Sequence, residues 1–144
     1  MSICIREARI SDSKFIWVLN CQEMGYVYPL EDTTERINSI LSSENDRIFV
    51  AVCDNTVVGY VHICSYDLIF SPPLKNIMGI AVCQQYKRRG IGRSLLEKAE
   101  QWAIQEKAAG IRIISGATRS EAHEFYRKCG YSGDKLQINL RKIF

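Results

Sequence analysis

Three observations predict an α/β fold in a single domain spanning residues 1–144. Apolar strand-like runs alternate with amphipathic helical stretches along the whole chain, in the order β-α-α-β-β-β-α-β-α-β. A basic turn with two glycines, Lys87 to Gly92, joins one of these strands to one of these helices. The 144 residues are 47% hydrophobic and 24% charged, enough to bury one core with the balance of an ordinary soluble globule.

Each element has a local reason. Ile3 to Arg9 alternates and reads as an edge strand. Ser11 or Asp12 can cap a helix carrying Phe15, Ile16, Leu19 and Met24. Pro29 ends any helix there, and Asp32 with Glu35 starts another carrying Ile37, Ile40 and Leu41. Ile48 to Cys53 is apolar on both faces, as a central strand should be. Asp54-Asn55-Thr56 is a hairpin turn leading to the strand Val57 to Tyr66. Ser71-Pro72-Pro73 marks a surface loop, and Ile77 to Val82 is the next buried strand. A helix from Ile91 to about Lys107 lines up Ile91, Leu95, Ala99, Trp102 and Ala103. Gly110 ends it, Ile111 to Ser115 is a strand, and Lys135 to Phe144 supplies the final strand.

Several classes are excluded. The chain has no repeat, low-complexity segment or Pro/Gly-rich linker. Its first residues lack the apolar block of a signal peptide, and no stretch approaches the ~20 apolar residues of a membrane span. Six scattered cysteines without a Cys-x-x-Cys read as reduced thiols, so a cytoplasmic location is expected. With only His62 and His123 and no paired ligand spacing, no metal is expected. The net charge of +3 conceals an asymmetry. Through Val82 there are 6 Lys/Arg against 10 Asp/Glu; from Cys83 onward there are 13 against 6. The basic part suits a polyanion. The acidic part, with Glu23 to Glu35, would draw cationic amines by its field, unless it is simply solvated surface.

The glycine turn carries the first chemical signal. Gly90 and Gly92 let a phosphate approach the backbone, and a helix from Ile91 presents N–H groups and its positive dipole end. Lys87, Arg88, Arg89 and Arg93 surround it with cations. A P-loop would need Lys-Ser or Lys-Thr after a glycine, and a dinucleotide fingerprint a third glycine where Leu95 stands. The remaining pattern, basic-x-x-Gly-x-Gly at Lys87, Gly90 and Gly92, resembles motif A of the GNAT superfamily of acyl-coenzyme A N-acyltransferases.

A second segment, Thr118 to Tyr131, strengthens that resemblance. Thr118 and Glu121 can form a capping box, and Gly130 sits where a left-handed C-terminal cap belongs. Ala122, Phe125, Tyr126, Gly130 and Tyr131 match the family's second signature, in the family's order and at roughly its spacing. The resemblance implies the GNAT fold: a mixed, mostly antiparallel sheet of about seven strands, with about four flanking helices. Its fourth and fifth strands would be parallel and splayed to admit the pantetheine arm. It also implies acetyl-CoA as co-substrate, with its pyrophosphate on Lys87, Arg88, Arg89, Gly90, Ile91, Gly92 and Arg93. Ile80, Ala81 and Val82 would bond the pantetheine amides, and a backbone N–H near Val82 would stabilise the oxyanion. Tyr126 would contact the cofactor and protonate the departing sulfur; packing beside Phe125 is its competing role.

The resemblance thins at the general base. Many relatives carry a strand glutamate, whereas Asn76 to Val82 contains no carboxylate. His62 is the leading substitute, because histidine titrates near neutrality; a packed core histidine is the competing reading. Glu23 and Tyr28 are further candidates. Arg119 replaces an asparagine that contacts the cofactor in many relatives, and would reach a cofactor phosphate, an acidic acceptor or solvent. His123 is expected to face solvent. The variant Arg119-x-x-Ala122-His123-x-Phe125-Tyr126 resembles that of compact stand-alone members that acetylate small amines, including aminoalkylphosphonate and aminoglycoside types. The combined expectation is an N-acetyltransferase acting on a small-molecule primary amine through a ternary complex. The alternatives are a protein N-terminal or lysine acetyltransferase and a non-catalytic CoA-binding module. Neither nucleic acid nor membrane is an expected partner, and the chain would be a monomer or homodimer.

Overall fold

The computed structural model describes residues 2–144, which divide into two compact units, residues 2–113 and 114–144. The first unit carries the sheet. Strands β1 (Ile3–Glu7), β2 (Asp46–Cys53), β3 (Thr56–Tyr66), β4 (Leu74–Val82) and β5 (Ile111–Ile113) lie in sequence order. The first four are antiparallel, and β5 runs parallel to β4. Helices α1 (Ser13–Glu23), α2 (Leu30–Leu41) and α3 (Ile91–Gln105) complete this unit, and α4 (Ser120–Lys128) belongs to the second.

Two turns set the frame. Asp54 and Asn55 both take left-handed backbone (φ 49° and 64°), the geometry a two-residue hairpin needs to follow strand twist, so Cys53 pairs with Thr56. Asp12 is buried at the start of α1, where its carboxylate accepts from both Arg6 Nη atoms (2.8 and 3.0 Å) and from the Arg9 N–H (2.8 Å). This ties β1 to α1. One face of the sheet buries Ile48, Val50 and Tyr60 under Ile16 and Leu19 of α1 and Ile37 of α2. The predicted stripe of α3 is buried as expected, joined by Leu96. Leu95 packs so close to Gly59 that a Cβ there would meet its Cδ1 at 3.3 Å and the Ala81 carbonyl at 3.1 Å, so a side chain would require both to give by a few tenths of an ångström.

Several boundaries differ from the sequence reading. Helix α2 starts at Leu30 with Pro29 as its N-cap, two residues before Asp32, because proline is pre-set for a helix entrance. Phe15 lies off the buried stripe of α1 and is 40% exposed. Helix α3 stops at Gln105, and Lys107 (φ 61°), not Gly110, takes the left-handed cap conformation. Its N–H reaches the Ile104 carbonyl (3.0 Å), and the next N–H, of Ala108, reaches Ala103 (3.0 Å). Strand β5 ends at Ile113, short of Ser115.

In the second unit, α4 begins at Ser120 with Arg119 as N-cap and no side-chain cap, so the Thr118–Glu121 capping box is not formed. The glycine at its other end acts as predicted. Gly130 (φ 97°) donates to the Arg127 carbonyl and Tyr131 to that of Tyr126, both at 3.0 Å. Lys135 to Phe144 is not a strand, and the sheet has five strands, not seven. The alternation of Leu136, Ile138 and Leu140 is real, yet these side chains are 78–86% exposed. Period two says which face a strand would bury, and not that a neighbour exists to pair with it.

The Asp12 cluster gives a stability test. Burial alone pushes the Asp12 carboxyl up, but the Arg6 guanidinium and the Arg9 N–H more than offset this and hold it below the usual carboxylate range. A depressed folded value means the stabilisation is complete above the unfolded value of about 3.9 and is lost as pH falls through the folded one. Asp12→Ala should cost about 3 kcal/mol at neutral pH, measured by urea unfolding, because it strands a partly buried Arg6. Its stability should also fall less than wild type between pH 6 and pH 3; parallel pH curves would refute the role given to this carboxylate.

Candidate active site

Strand β4 positions the first group of functional atoms. It pairs with β5 only through Lys75, Asn76 and Ile77, while β3 accompanies it to Val82. The Cys83 N–H donates to the Val58 carbonyl on the β3 side (2.8 Å). Antiparallel alternation therefore turns the N–H groups of Val82 and Ile80 to the opposite side, where β5 pairing has ended. The parallel pairing expected between strands four and five is present, and it ends where β5 ends, at Ile113. Ala81, by the same alternation, directs its N–H to β3 and its side chain to the core, unlike the role anticipated for it.

The basic turn follows directly. Gln84–Tyr86 forms a short 3-10 turn, Arg88 adopts left-handed backbone (φ 64°), and Gly90 (φ 80°) caps α3. The first intrahelical bond of α3 runs from Ser94 N–H to the Gly90 carbonyl (3.0 Å), so the amides of Ile91 and Gly92 precede the helical ladder. Ile91 contributes only backbone, since its side chain is buried. Arg88 and Arg93 are exposed, and Arg89 lies 5.2 Å from the Tyr86 ring. Lys87 is the departure: its Nζ lies 3.3 Å from Glu23 Oε1, while Glu23 Oε2 accepts the Gln84 N–H (3.1 Å). Glu23 thus clamps the end of α1 to the start of the turn, and is not placed as a base.

A cavity of about 540 Å³ opens on the α1/α2 side of the sheet. His62 and Tyr60 of β3 form part of its lining, with Trp17, Tyr26 and Tyr28 among its aromatic residues. His62 Nε2 lies 2.7 Å from Asp46 Oδ1, so the ring is oriented by a carboxylate. Register explains the pair: Asp46 opposes Cys64 and Ile48 opposes His62, which puts both side chains on one face. Tyr60 donates to Asn20 Oδ1, and burial first, then the nearby Tyr26, pushes its phenol up to about 12. Its hydroxyl sits against Gly79, where a Cβ would lie 3.4 Å away. Tyr28 contributes a carbonyl that accepts the Trp17 Nε1–H (2.7 Å). Asp46 and Arg36 were not singled out from sequence. A charge at position 36 within the stripe Thr33, Arg36, Ile37, Ile40 was the available signal for the second; the first needed the strand register.

In the second unit, Tyr126 packs between Phe125 (ring centroids 5.4 Å apart) and Tyr131 (6.4 Å). Burial raises its phenol above the ordinary range, opposed by the positive charge of Arg119 and reinforced by Cys129. The hydroxyl therefore holds its proton at neutral pH. His123 is not simply solvated: its Nε2 bonds the Gly116 carbonyl (2.8 Å), closing the loop before α4.

Residues 13–131 match the acetyltransferase (GNAT) family. The N-alpha-acetyltransferase of Sulfurisphaera tokodaii is 30% identical over 142 residues, covering 92% of this chain and 81% of its own. A streptothricin acetyltransferase of Escherichia coli is 29% identical over 91 residues, or 63% of this chain, and the match spans half of that relative's length. An aminoglycoside N-acetyltransferase, AAC(6')-Iy in complex with CoA, superimposes with a TM-score of 0.88 at 17% identity, covering 98% of this chain and 95% of its own. That likeness shows the α/β fold anticipated from the two motifs. With the family match running from α1 through Tyr131, the chain belongs to the GNAT acetyltransferase family and is an acyltransferase.

Proposed function

We propose that this chain moves an acetyl group from acetyl-CoA to the primary amine of a small molecule, by direct attack in a ternary complex. The carrying observation is the one-sided β4, with the Ile80 and Val82 N–H groups turned outward, running straight into the Gly90-capped start of α3. Ile80 and Val82 suit an extended amide chain laid beside β4, and the amides at Ile91 and Gly92 suit a pyrophosphate. Arg88, Arg89 and Arg93 supply countercharge, while Lys87 must exchange Glu23 for phosphate. Bound acetyl-CoA would supply the acyl carbon and a thiolate leaving group. In the transfer the amine N–C bond forms and the C–S bond breaks. One proton leaves the amine and one must reach sulfur.

The residues divide that work. The Val82 N–H is assigned to the oxyanion. His62, oriented by Asp46, is assigned the amine proton, because β4 offers no carboxylate. Tyr126 is assigned the proton for sulfur; ordinary values of about 10 for a phenol and about 8.5 for a thiol make that step uphill by about 2 kcal/mol, and the burial that raises the Tyr126 phenol keeps its proton in place until the thiolate departs. Arg119, close enough to oppose the burial effect on Tyr126, is assigned a supporting electrostatic role. The cavity's volume falls in the range of small-molecule sites. A protein N-terminus is the second reading, favoured by the N-alpha-acetyltransferase relative.

The primary test is thiol release from acetyl-CoA with a panel of amines and N-terminal peptides. Acceptor-dependent release should occur; CoA binding with no release for any acceptor would identify a non-catalytic binding module. Tyr126→Phe should keep fold and CoA affinity while lowering turnover about 100- to 10,000-fold. A folded variant retaining more than about a third of wild-type turnover would remove Tyr126 from the mechanism.

The phosphate assignment has its own measurement. CoA affinity by calorimetry should weaken as salt rises, since exposed charges are screened over about 8 Å at physiological ionic strength. Gly90→Val should weaken it further by forcing a β-branched residue into left-handed backbone at the cap. A salt-independent dissociation constant, unchanged in a folded Gly90→Val, would move the pyrophosphate elsewhere.

A further inference from the structure

We propose that the Tyr60 hydroxyl receives one N–H of the attacking amine beside His62, and that Asn20 positions that hydroxyl for it. The proposal rests on the acetyltransferase reading above for the reaction, and on the cavity's own polar groups for the seat of the amine.

Tyr60 and His62 stand two residues apart on β3, so both side chains share the face that lines the cavity. The phenol also leans across to β4. A Cβ built on Gly79 would have Tyr60 Oη, Cε2 and Cζ as its nearest atoms, at 3.4, 3.9 and 4.0 Å. Gly79 is the β4 residue paired with His62, whereas Tyr60 itself is paired with Ala81. The hydroxyl therefore sits over the strand position directly opposite the histidine. Glycine leaves room for it there, on the strand that carries no carboxylate.

The proton of that hydroxyl is already committed. It is donated to Asn20 Oδ1 on α1, and with the phenol pushed up to about 12 it stays an O–H at neutral pH. Donating its only hydrogen fixes the rotor and leaves the oxygen lone pairs as acceptors. An amine in the neutral form that attacks has two N–H groups and one lone pair. The lone pair must face the acyl carbon, and His62 is assigned one hydrogen. The second needs an acceptor, in a cavity that no aspartate or glutamate lines. The other hydroxyls of the lining are less well placed. Tyr26 and Tyr28 are 57% and 50% exposed, and Thr33 stands on α2 rather than on the strands that hold His62 and Gly79.

The experiment compares phenethylamine, whose neutral form has two N–H groups, with N-methylphenethylamine, which has one, on the full chain. Transfer is read by thiol release from acetyl-CoA, binding by tryptophan fluorescence, since Trp17 lines the cavity, and folding by a melting curve. Wild type should favour the primary amine in kcat/KM by about 3- to 10-fold, the scale of one hydrogen bond. In Tyr60→Phe the primary amine should lose that advantage, while the KM for acetyl-CoA and the rate with the secondary amine stay unchanged. Asn20→Ala should lose part of it. Adding Asn20→Ala to Tyr60→Phe should lose nothing more, because the asparagine acts through the hydroxyl. A role confined to tying α1 to β3 would lower the melting temperature of these variants and leave the ratio unmoved, which would overturn the proposal. So would a ratio that closes because the secondary amine speeds up, since the hydroxyl would then only crowd the methyl group. Failure of both amines to bind would overturn it too. Primary-selective binding that is lost in Tyr60→Phe, with no thiol release from any amine, would sustain this seat and sink the acetyltransferase reading. Thiol release with no preference for the primary amine would do the opposite.

Discussion

The first unit is organised around a strand that loses one neighbour halfway. Strand β4 keeps β3 along its length and β5 only from Lys75 to Ile77. In most sheets an unpaired strand edge is a liability to be covered. Here the end of β5 pairing leaves the N–H groups of Ile80 and Val82 turned away from β3, just before the glycine turn. Strand β4 and its partner β3 are held on both faces of the sheet. Ala81 and Tyr60 pack under α1, while Gly59 lets α3 approach closely through Leu95.

A second dependence runs through Glu23. It ends α1, accepts the Gln84 N–H, and pairs with Lys87. The loop that follows it, with Tyr26 and Tyr28, lines the cavity. One carboxylate therefore joins the wall of the proposed acceptor site to the proposed phosphate turn. The charge count of the first 82 residues suggested an acidic acceptor surface, yet the fold gives Glu23 to the turn and turns the acids of α2 outward. What remains to line the cavity is aromatic, apolar and, at Arg36, positive.

Where local chemistry settles a conformation, the sequence was legible. Asp54-Asn55 makes its hairpin, Gly130 makes its cap, and the α3 stripe is buried as its spacing requires. Where two local solutions compete, it was not. Lys107 accepts left-handed backbone that glycine was expected to supply, because the cap is fixed by carbonyls already in the helix and tolerates the strain. Thr118 and Glu121 have the composition of a capping box, but the helix begins one residue too late for it to form. Leu136 to Leu140 has the pattern of a strand without a partner.

The sequence by itself determined the family, the strand-turn-helix with its two glycines, and the tyrosine on the last helix, because each is a contiguous stretch whose spacing carries its geometry. Only tertiary structure decided which charges are available. The Asp46–His62 pair depends on the register of β2 against β3, the pairing of Lys87 with Glu23 on where α1 ends, and the place of Arg36 beside the cavity on how α2 is rotated over the sheet. A charge count along a chain is blind to these. Electrostatic interaction depends on distance and surroundings, and both are set by residues far apart in sequence.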